Sequence, residues 1–405
     1  MVDQGMSSLS NVAVTILVAR VLSPDEFGAF SVALVAYQLA VGAVRAVVGE
    51  PWLSTHSTHD AARRHRAMSD LVPAALVLSA VCSVVVLVLA AVVGGEAAPA
   101  LVALAVVFPY LGVQDSLRFV AIVDRPQVAV ASDVAWLVVA VGLVVAAPSG
   151  AASEWFVVAW GVGGAVGLAV ALAALRVPLR TGRAVRWLTT HRVMSAAYFG
   201  EYVSARAVGH LVLLALGAIA GLAALGAVRA VQVFYGPLNT LFDGIYLALV
   251  PDGARRRDRP DALVRLMAVA TGLITAAAAG WMVVGLVLPD RVGTALFGDT
   301  WDEAAGLMLT MGLATVAGSL ATGGFAGLRS LGAARKSLRA RLYGLPPQLV
   351  FPLVGAAAGS AVGYTIGFAA ANAVVAAIWW VVFLGALGRG VTTAVDQPRR
   401  EVQQT

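Results

Sequence analysis

The sequence predicts an all-α integral membrane protein of about twelve transmembrane helices, built as two six-helix bundles with both termini cytoplasmic. Three observations predict it. The 405-residue chain is 60% hydrophobic and 12% charged, with a mean hydropathy of +0.86; soluble domains carry about 25% charged residues. Its apolar residues gather into runs of about twenty, the length a helix needs to cross a bilayer. Its basic residues fall almost entirely in alternate connections between those runs. This composition excludes a soluble globular protein and most nucleic-acid binders, despite an isoelectric point near 9.9. The single cysteine, Cys82, allows no internal disulfide and no cysteine-based metal site. The opening MVDQGMSSLS has neither a basic residue nor a small-residue cleavage site, so a cleaved signal peptide is not expected.

In chain order, spans are expected at 6–22, 29–49, 71–93, 99–121, 127–147, 154–175, 198–219, 226–250, 266–288, 304–327, 345–362 and 364–387. The first ends at the polar turn Ser23-Pro24-Asp25-Glu26. The second then runs from Ala29 to Val48 with one formal charge, Arg45. The last two are separated only by the small residues around Gly359 and Gly363. With the N-terminus inside, 23 of the 28 basic residues lie in inner loops or the tail, including Arg63, Arg64 and Arg66, Arg118 and Arg125, Arg176 to Arg192, Arg255 to Arg265, and Arg329 to Arg341. Only Arg20 and Arg291 lie outside, and Arg45, Arg206 and Arg229 fall within spans. A miscounted central span would scramble this positive-inside asymmetry. The longest outer loop, Pro289 to Glu303, has only about fifteen residues. It leaves no room for outer-face chemistry.

An internal repeat divides the chain. Gly28-Ala29-Phe30 matches Gly226-Ala227-Val228, and the helices that follow end at Glu50-Pro51 and Val250-Pro251. Six spans per half give both halves the same orientation, related by an axis along the membrane normal, with a cleft between them. The expected units are 1–192, including a basic linker, and 193–405.

No Gly-rich phosphate loop, nucleophile elbow or His/Cys cluster is present, so no enzyme, cofactor or metal is expected. His56, His59 and His65 read as a solvated inner loop. Charges inside the membrane are the functional candidates. Tyr198, Tyr202, Arg206 and His210 recur every fourth residue as one polar stripe, with Glu201 on its flank. That stripe lines a cavity or makes a buried polar helix contact. Arg45 and Arg229 face the cleft or snorkel to the nearer headgroups. The repeat superposes Arg45 on Asp243, which suggests that the two pair across the empty cleft. Asp115 and Arg118 can neutralise each other three residues apart. Asp133 has no local partner and serves coupling or finds a donor on another helix.

The segment Ala19-Arg20 to Phe27-Gly28 resembles the N-terminal hallmark of the polysaccharide flippases, the Wzx-type branch of the multidrug/oligosaccharidyl-lipid/polysaccharide (MOP) exporter superfamily, which includes the MATE exporters. Gln114 to Arg118 through Asp133 to Trp136, Leu225 to Leu238, Phe297 to Trp301 and Gly327 to Arg341 resemble further segments in the same order. The resemblance implies a MATE/MOP-like fold and the flipping of an undecaprenyl-pyrophosphate-linked oligosaccharide in the bacterial cytoplasmic membrane. It implies phosphate-facing Arg20, Arg45 and Arg229. The stripe adds Arg206, Tyr202 and His210, and the charge partners are Asp133, Glu201 and Asp243. Expected partners are the lipid-linked oligosaccharide, membrane lipids, and a polysaccharide polymerase with glycosyltransferases; nucleic acid is not among them. The rivals are a cation-coupled drug exporter of the same superfamily, a major-facilitator-type transporter, whose loop 2–3 pattern is not matched at Thr55 to Asp60, and a non-transporting scaffold for polysaccharide synthesis.

Overall fold

Capping chemistry sets where the second helix begins. The computed structural model describes residues 12–57, 60–177 and 184–395. Helix α1 is described over 12–19, and α2 runs Pro24–His56. At the start of α2 the Ser23 hydroxyl accepts the Glu26 N–H, the Glu26 carboxylate accepts the Ser23 N–H, and Pro24 supplies a preset φ. Helix α3, Ala61–Val93, starts where the Asp60 carboxylate accepts the Arg63 N–H at 2.8 Å. Helices α4 (Ala97–Asp124), α5 (Pro126–Val145) and α6 (Ser153–Leu175) complete the first six.

Helix α7, Ala184–Ala220, passes through Gly221, at φ 94°, into α8, Leu222–Ala254. After α9, Pro260–Leu286, the short helices Asp290–Phe297 and Trp301–Ala305 form the loop before α10, Met308–Ser330. Helices α11 (334–358) and α12 (361–395) meet at a turn through Gly359 and Ser360, the latter at φ 73°. Beside that turn the backbones of Gly355 and Gly363 touch, leaving no room for a Cβ on either. Among the described residues ten helices are long and apolar enough to cross a membrane, with Ala334–Leu387 taken as one. Splitting that pair gives eleven of the twelve expected spans, and of the first only the helical residues 12–19 are described. Val84, Val85 and Val92 of α3 are 59%, 62% and 79% exposed, an outward apolar face that suits lipid and not water.

Some boundaries differ from expectation. Helix α7 is described from Ala184, so the expected division at 192/193 falls inside it, and Arg186 and Arg192 are helical. Arg180, Arg183 and His59 lie outside the described residues. His56 is not a freely solvated loop residue: its ring stacks between Trp52 (5.9 Å) and Trp187 (5.7 Å).

Helices α2 to α6 pack mainly on one another, and α8 to α12 do likewise. One apolar core runs through the first half and the outer part of the second, from Phe27 and Phe108 to Leu225, Phe297 and Tyr364. A separate core around Leu263, Met267, Leu328 and Phe383 holds the second half together on the face carrying the basic loops. The halves are therefore fused at the outer face and parted at the basic one.

Helix α7 crosses to the first half through α2. Pro51 has no N–H to give the Val47 carbonyl, and α2 adopts a π-helical turn over Arg45–Gly49. That carbonyl instead accepts from Ser195 Oγ of α7 at 2.8 Å. The Ser54 and Tyr198 hydroxyls are 2.6 Å apart, and Tyr202 OH donates to the Leu39 carbonyl at 2.9 Å. Gly42 leaves the space that the Tyr202 ring occupies. Tyr202→Phe is expected to cost about 1 kcal/mol of stability, the net worth of a hydrogen bond. Thermal unfolding of the purified protein measures it.

Candidate functional site

Between the halves lies a central chamber of about 680 Å³. Its first-half wall comes from Tyr37, Gln38 and Arg45 of α2, Gln114, Asp115 and Arg118 of α4, Asp133 and Trp136 of α5, and Trp160 of α6. Its second-half wall comes chiefly from α8, which presents Arg229, Gln232, Asn239 and Phe242. Spacings of three and four put these on one face of α8. Asn372 of α12 and Thr315 of α10 complete that side.

The first-half wall is charge-compensated. Arg45 makes a fork to Asp115, Nε to Oδ2 at 2.7 Å and Nη2 to Oδ1 at 2.5 Å. Arg118 Nε lies 3.0 Å from Asp133 Oδ2, joining α4 to α5. Gln114 Nε2 donates to Ser132 Oγ at 3.1 Å, and Ser132 Oγ donates to the Gly167 carbonyl at 2.9 Å. The Trp136 and Trp160 rings stack 5.8 Å apart, with Trp136 Nε1 donating to the Trp160 carbonyl at 2.9 Å. This wall is rigid and electrically neutral in its charged side chains.

The facing wall is different. Arg229 Nη1 donates to Gln232 Oε1 at 3.1 Å, and Arg229 Nε is buried with no hydrogen-bond partner. Among the described residues no carboxylate pairs with Arg229. A guanidinium partly withdrawn from water without a counter-charge favours the arrival of an anion.

On the basic side a second chamber, also of about 680 Å³, adjoins the first at Phe242, which lines both. It is lined by Arg206 of α7, Arg329 of α10, Arg341 of α11, and Glu50 and Glu201. Arg329 Nη2 reaches Glu201 Oε1 at 3.4 Å.

The residues expected to form one site are therefore distributed over several places. Arg45 and Arg229 line the central chamber, while Arg206, Tyr202 and Glu201 line the basic-side one. Arg20 does neither: it is exposed at the outer end of α1, where Gly298 packs on its backbone. The stripe on α7 is broken because Val203–Ala207 is a π-helical turn, whose extra residue rotates the faces on either side. His210 is half-buried and is not among the residues lining either chamber. Arg45 is engaged by Asp115, and the side chain of Asp243, its expected partner, lies outside the described part of the structure. Asp115 and Arg118 do not neutralise each other, since each pairs with a residue on another helix. Arg118, counted with the inner-loop cations although the expected span 99–121 contains it, is inside α4 and lines the chamber. Its position three residues after Asp115, before Asp124-Arg125-Pro126 ends the helix, is the signal in the sequence that could have found it.

No protein-family model and no curated protein sequence matches the chain. Solved structures do. A multidrug-resistance MATE family transporter of the MOP superfamily, in an inward-facing conformation, superposes with a TM-score of 0.72 at 14% identity, covering 96% of each chain. The chain has the MATE/MOP transporter fold. The lipid II flippase MurJ, inward closed, gives 0.69 at 7% identity over 99% of this chain and 93% of its own. An outward-facing MATE structure gives 0.54 at 14% identity, over 98% and 94%.

Proposed function

We propose that this multi-pass membrane protein is an alternating-access flippase for an anionic lipid-linked oligosaccharide, of the undecaprenyl-pyrophosphate type, in the bacterial cytoplasmic membrane. The observation that carries this reading is Arg229, half-buried in the wall of the central chamber, with its Nε buried and unpartnered and no paired carboxylate among the described residues. A diphosphate cannot cross hydrocarbon without replacement of its hydration. A guanidinium offers a planar fork of donors matched to phosphate oxygens. The aromatic and amide groups around it (Tyr37, Trp136, Gln232, Asn239) suit sugar faces and hydroxyls. Movement of the two halves would carry the headgroup across while the isoprenoid tail stays in lipid. A polymerase and glycosyltransferases are the proposed partners.

The drug-exporter reading needs a carboxylate free to meet an organic cation. The two carboxylates described in the central chamber, Asp115 and Asp133, are both held by arginines. Arg229→Gln decides between the two readings. Reconstituted with a fluorescent undecaprenyl-diphosphate oligosaccharide, the variant is expected to bind roughly 10- to 150-fold more weakly, because a hydrogen bond to a charged group contributes about 1.5–3 kcal/mol. Wild-type affinity in the variant, or proton-coupled export of organic cations that it leaves intact, would reject the flippase.

A further inference from the structure

We propose that the basic-side chamber is a second anion-binding station, which takes the phosphorylated sugar headgroup before it passes Phe242 to reach Arg229. This inference rests on the flippase reading and adds a site to it. Helix α7 and the consecutive helices α10 and α11 each send one arginine to this chamber: Arg206, Arg329 and Arg341. Arginines placed only to set membrane orientation would lie in the loops and face outward. These three face a common space of about 680 Å³ across from Glu50 and Glu201. Three cations meet two carboxylates, and the contact from Arg329 to Glu201 is long at 3.4 Å. Among the described residues neither Arg206 nor Arg341 forms an ion pair. The chamber therefore carries surplus positive charge on the side from which a cytoplasmic headgroup would arrive.

Its remaining wall suits a carbohydrate. The Tyr246 and Phe325 rings stack 5.0 Å apart at 21°, and Trp379 meets Phe325 edge-on at 5.0 Å, which fixes the ring pair in place. Arg329 lies over Phe325 with its guanidinium carbon 5.5 Å from the ring centre. An aromatic surface with guanidinium groups at its rim offers apolar contact to a sugar face and paired donors to the attached phosphate.

The two stations are separate. Arg229 and Tyr246 are both on α8 and seventeen positions apart, about 25 Å along a helix. A single diphosphate cannot touch both ends of that distance. Phe242 lies between them and lines both chambers, so the headgroup must pass its ring to change station.

The test is calorimetric titration of the full-length protein in detergent with a water-soluble short-chain polyprenyl-diphosphate disaccharide. Two binding events are expected. Arg329→Gln with Arg341→Gln should weaken one at least about tenfold and spare the other, while Arg229→Gln should do the reverse. If the double variant fails to fold, Arg341→Gln alone is read in the same way with a smaller shift. A single event, lost in Arg229→Gln and unchanged in the Arg329 and Arg341 variants, overturns the second station and leaves the flippase reading intact. Absence of binding to the wild-type protein overturns both.

Discussion

Gly28→Leu is expected to abolish flipping and to drive the protein out of the inward-open arrangement. The outer closure is made by backbone meeting backbone. A Cβ on Gly28 would lie 2.8 Å from Leu222 Cβ and closer still to the Leu222 carbonyl, while one on Gly226 would lie 3.1 Å from Gly28 N and Pro24 O. Asp25 Oδ1 accepts the Ala223 N–H at 3.2 Å, so α2 also caps the start of α8. A leucine cannot be absorbed there by a rotamer change, because the obstructing atoms include main chain. Overpacking costs typically 1–3 kcal/mol, and about 3 kcal/mol would shift the balance of arrangements by roughly 100-fold. In a Cys82→Ser background, a disulfide engineered between Asp25→Cys and Ala223→Cys should form readily in the parent. It should form at least about tenfold more slowly when Gly28→Leu is added. Equal rates would show that the outer faces are not in close contact.

Asp133→Asn is expected to be the most destabilising conservative change in the central chamber. Asp133 and Arg118 have side chains only 7% and 12% exposed, and they tie α4 to α5. Removing one partner of a buried pair leaves the other charge uncompensated, which costs about 3–5 kcal/mol. Arg118→Gln should cost a similar amount, and the double variant should cost clearly less than the two singles added. Arg45→Gln breaks a fork of better geometry and leaves Asp115, whose side chain is 5% exposed, without its counter-charge, although solvent at the 40%-exposed Arg45 side of the pair should keep the loss below that of Asp133→Asn. Thermal unfolding of the four variants in one detergent ranks them. Strict additivity of the 118 and 133 changes would mean that the two side chains do not form a working pair.

The candidate site was legible in part. Arg45 and Arg229 could be found because a charge inside a twenty-residue apolar run is visible in one dimension. Arg118 was missed because it lies a turn and a half from the end of its helix, where an arginine resembles an ordinary inner-loop cation. Arg329 and Arg341 were hidden for the same reason: each belongs to a basic connection, and only the convergence of α7, α10 and α11 turns them toward a shared chamber. Arg20 enters the expected site through its motif alone. The outer closure at Gly298 leaves it at the surface.

Span number, span order and the positions of most helix ends follow from the sequence by itself, because each depends on a run of neighbouring residues: apolar length, a cap such as Ser23 with Glu26, or a breaker such as Gly359. Tertiary structure alone decided which charge meets which. Asp115 sits three residues from Arg118 yet pairs with Arg45, seventy positions away, and Arg118 pairs with Asp133. Those choices depend on how each helix is rotated about its axis, and two π-helical turns, at Arg45–Gly49 and Val203–Ala207, reset that rotation part-way along their helices. Counting by fours along the chain cannot see such a turn.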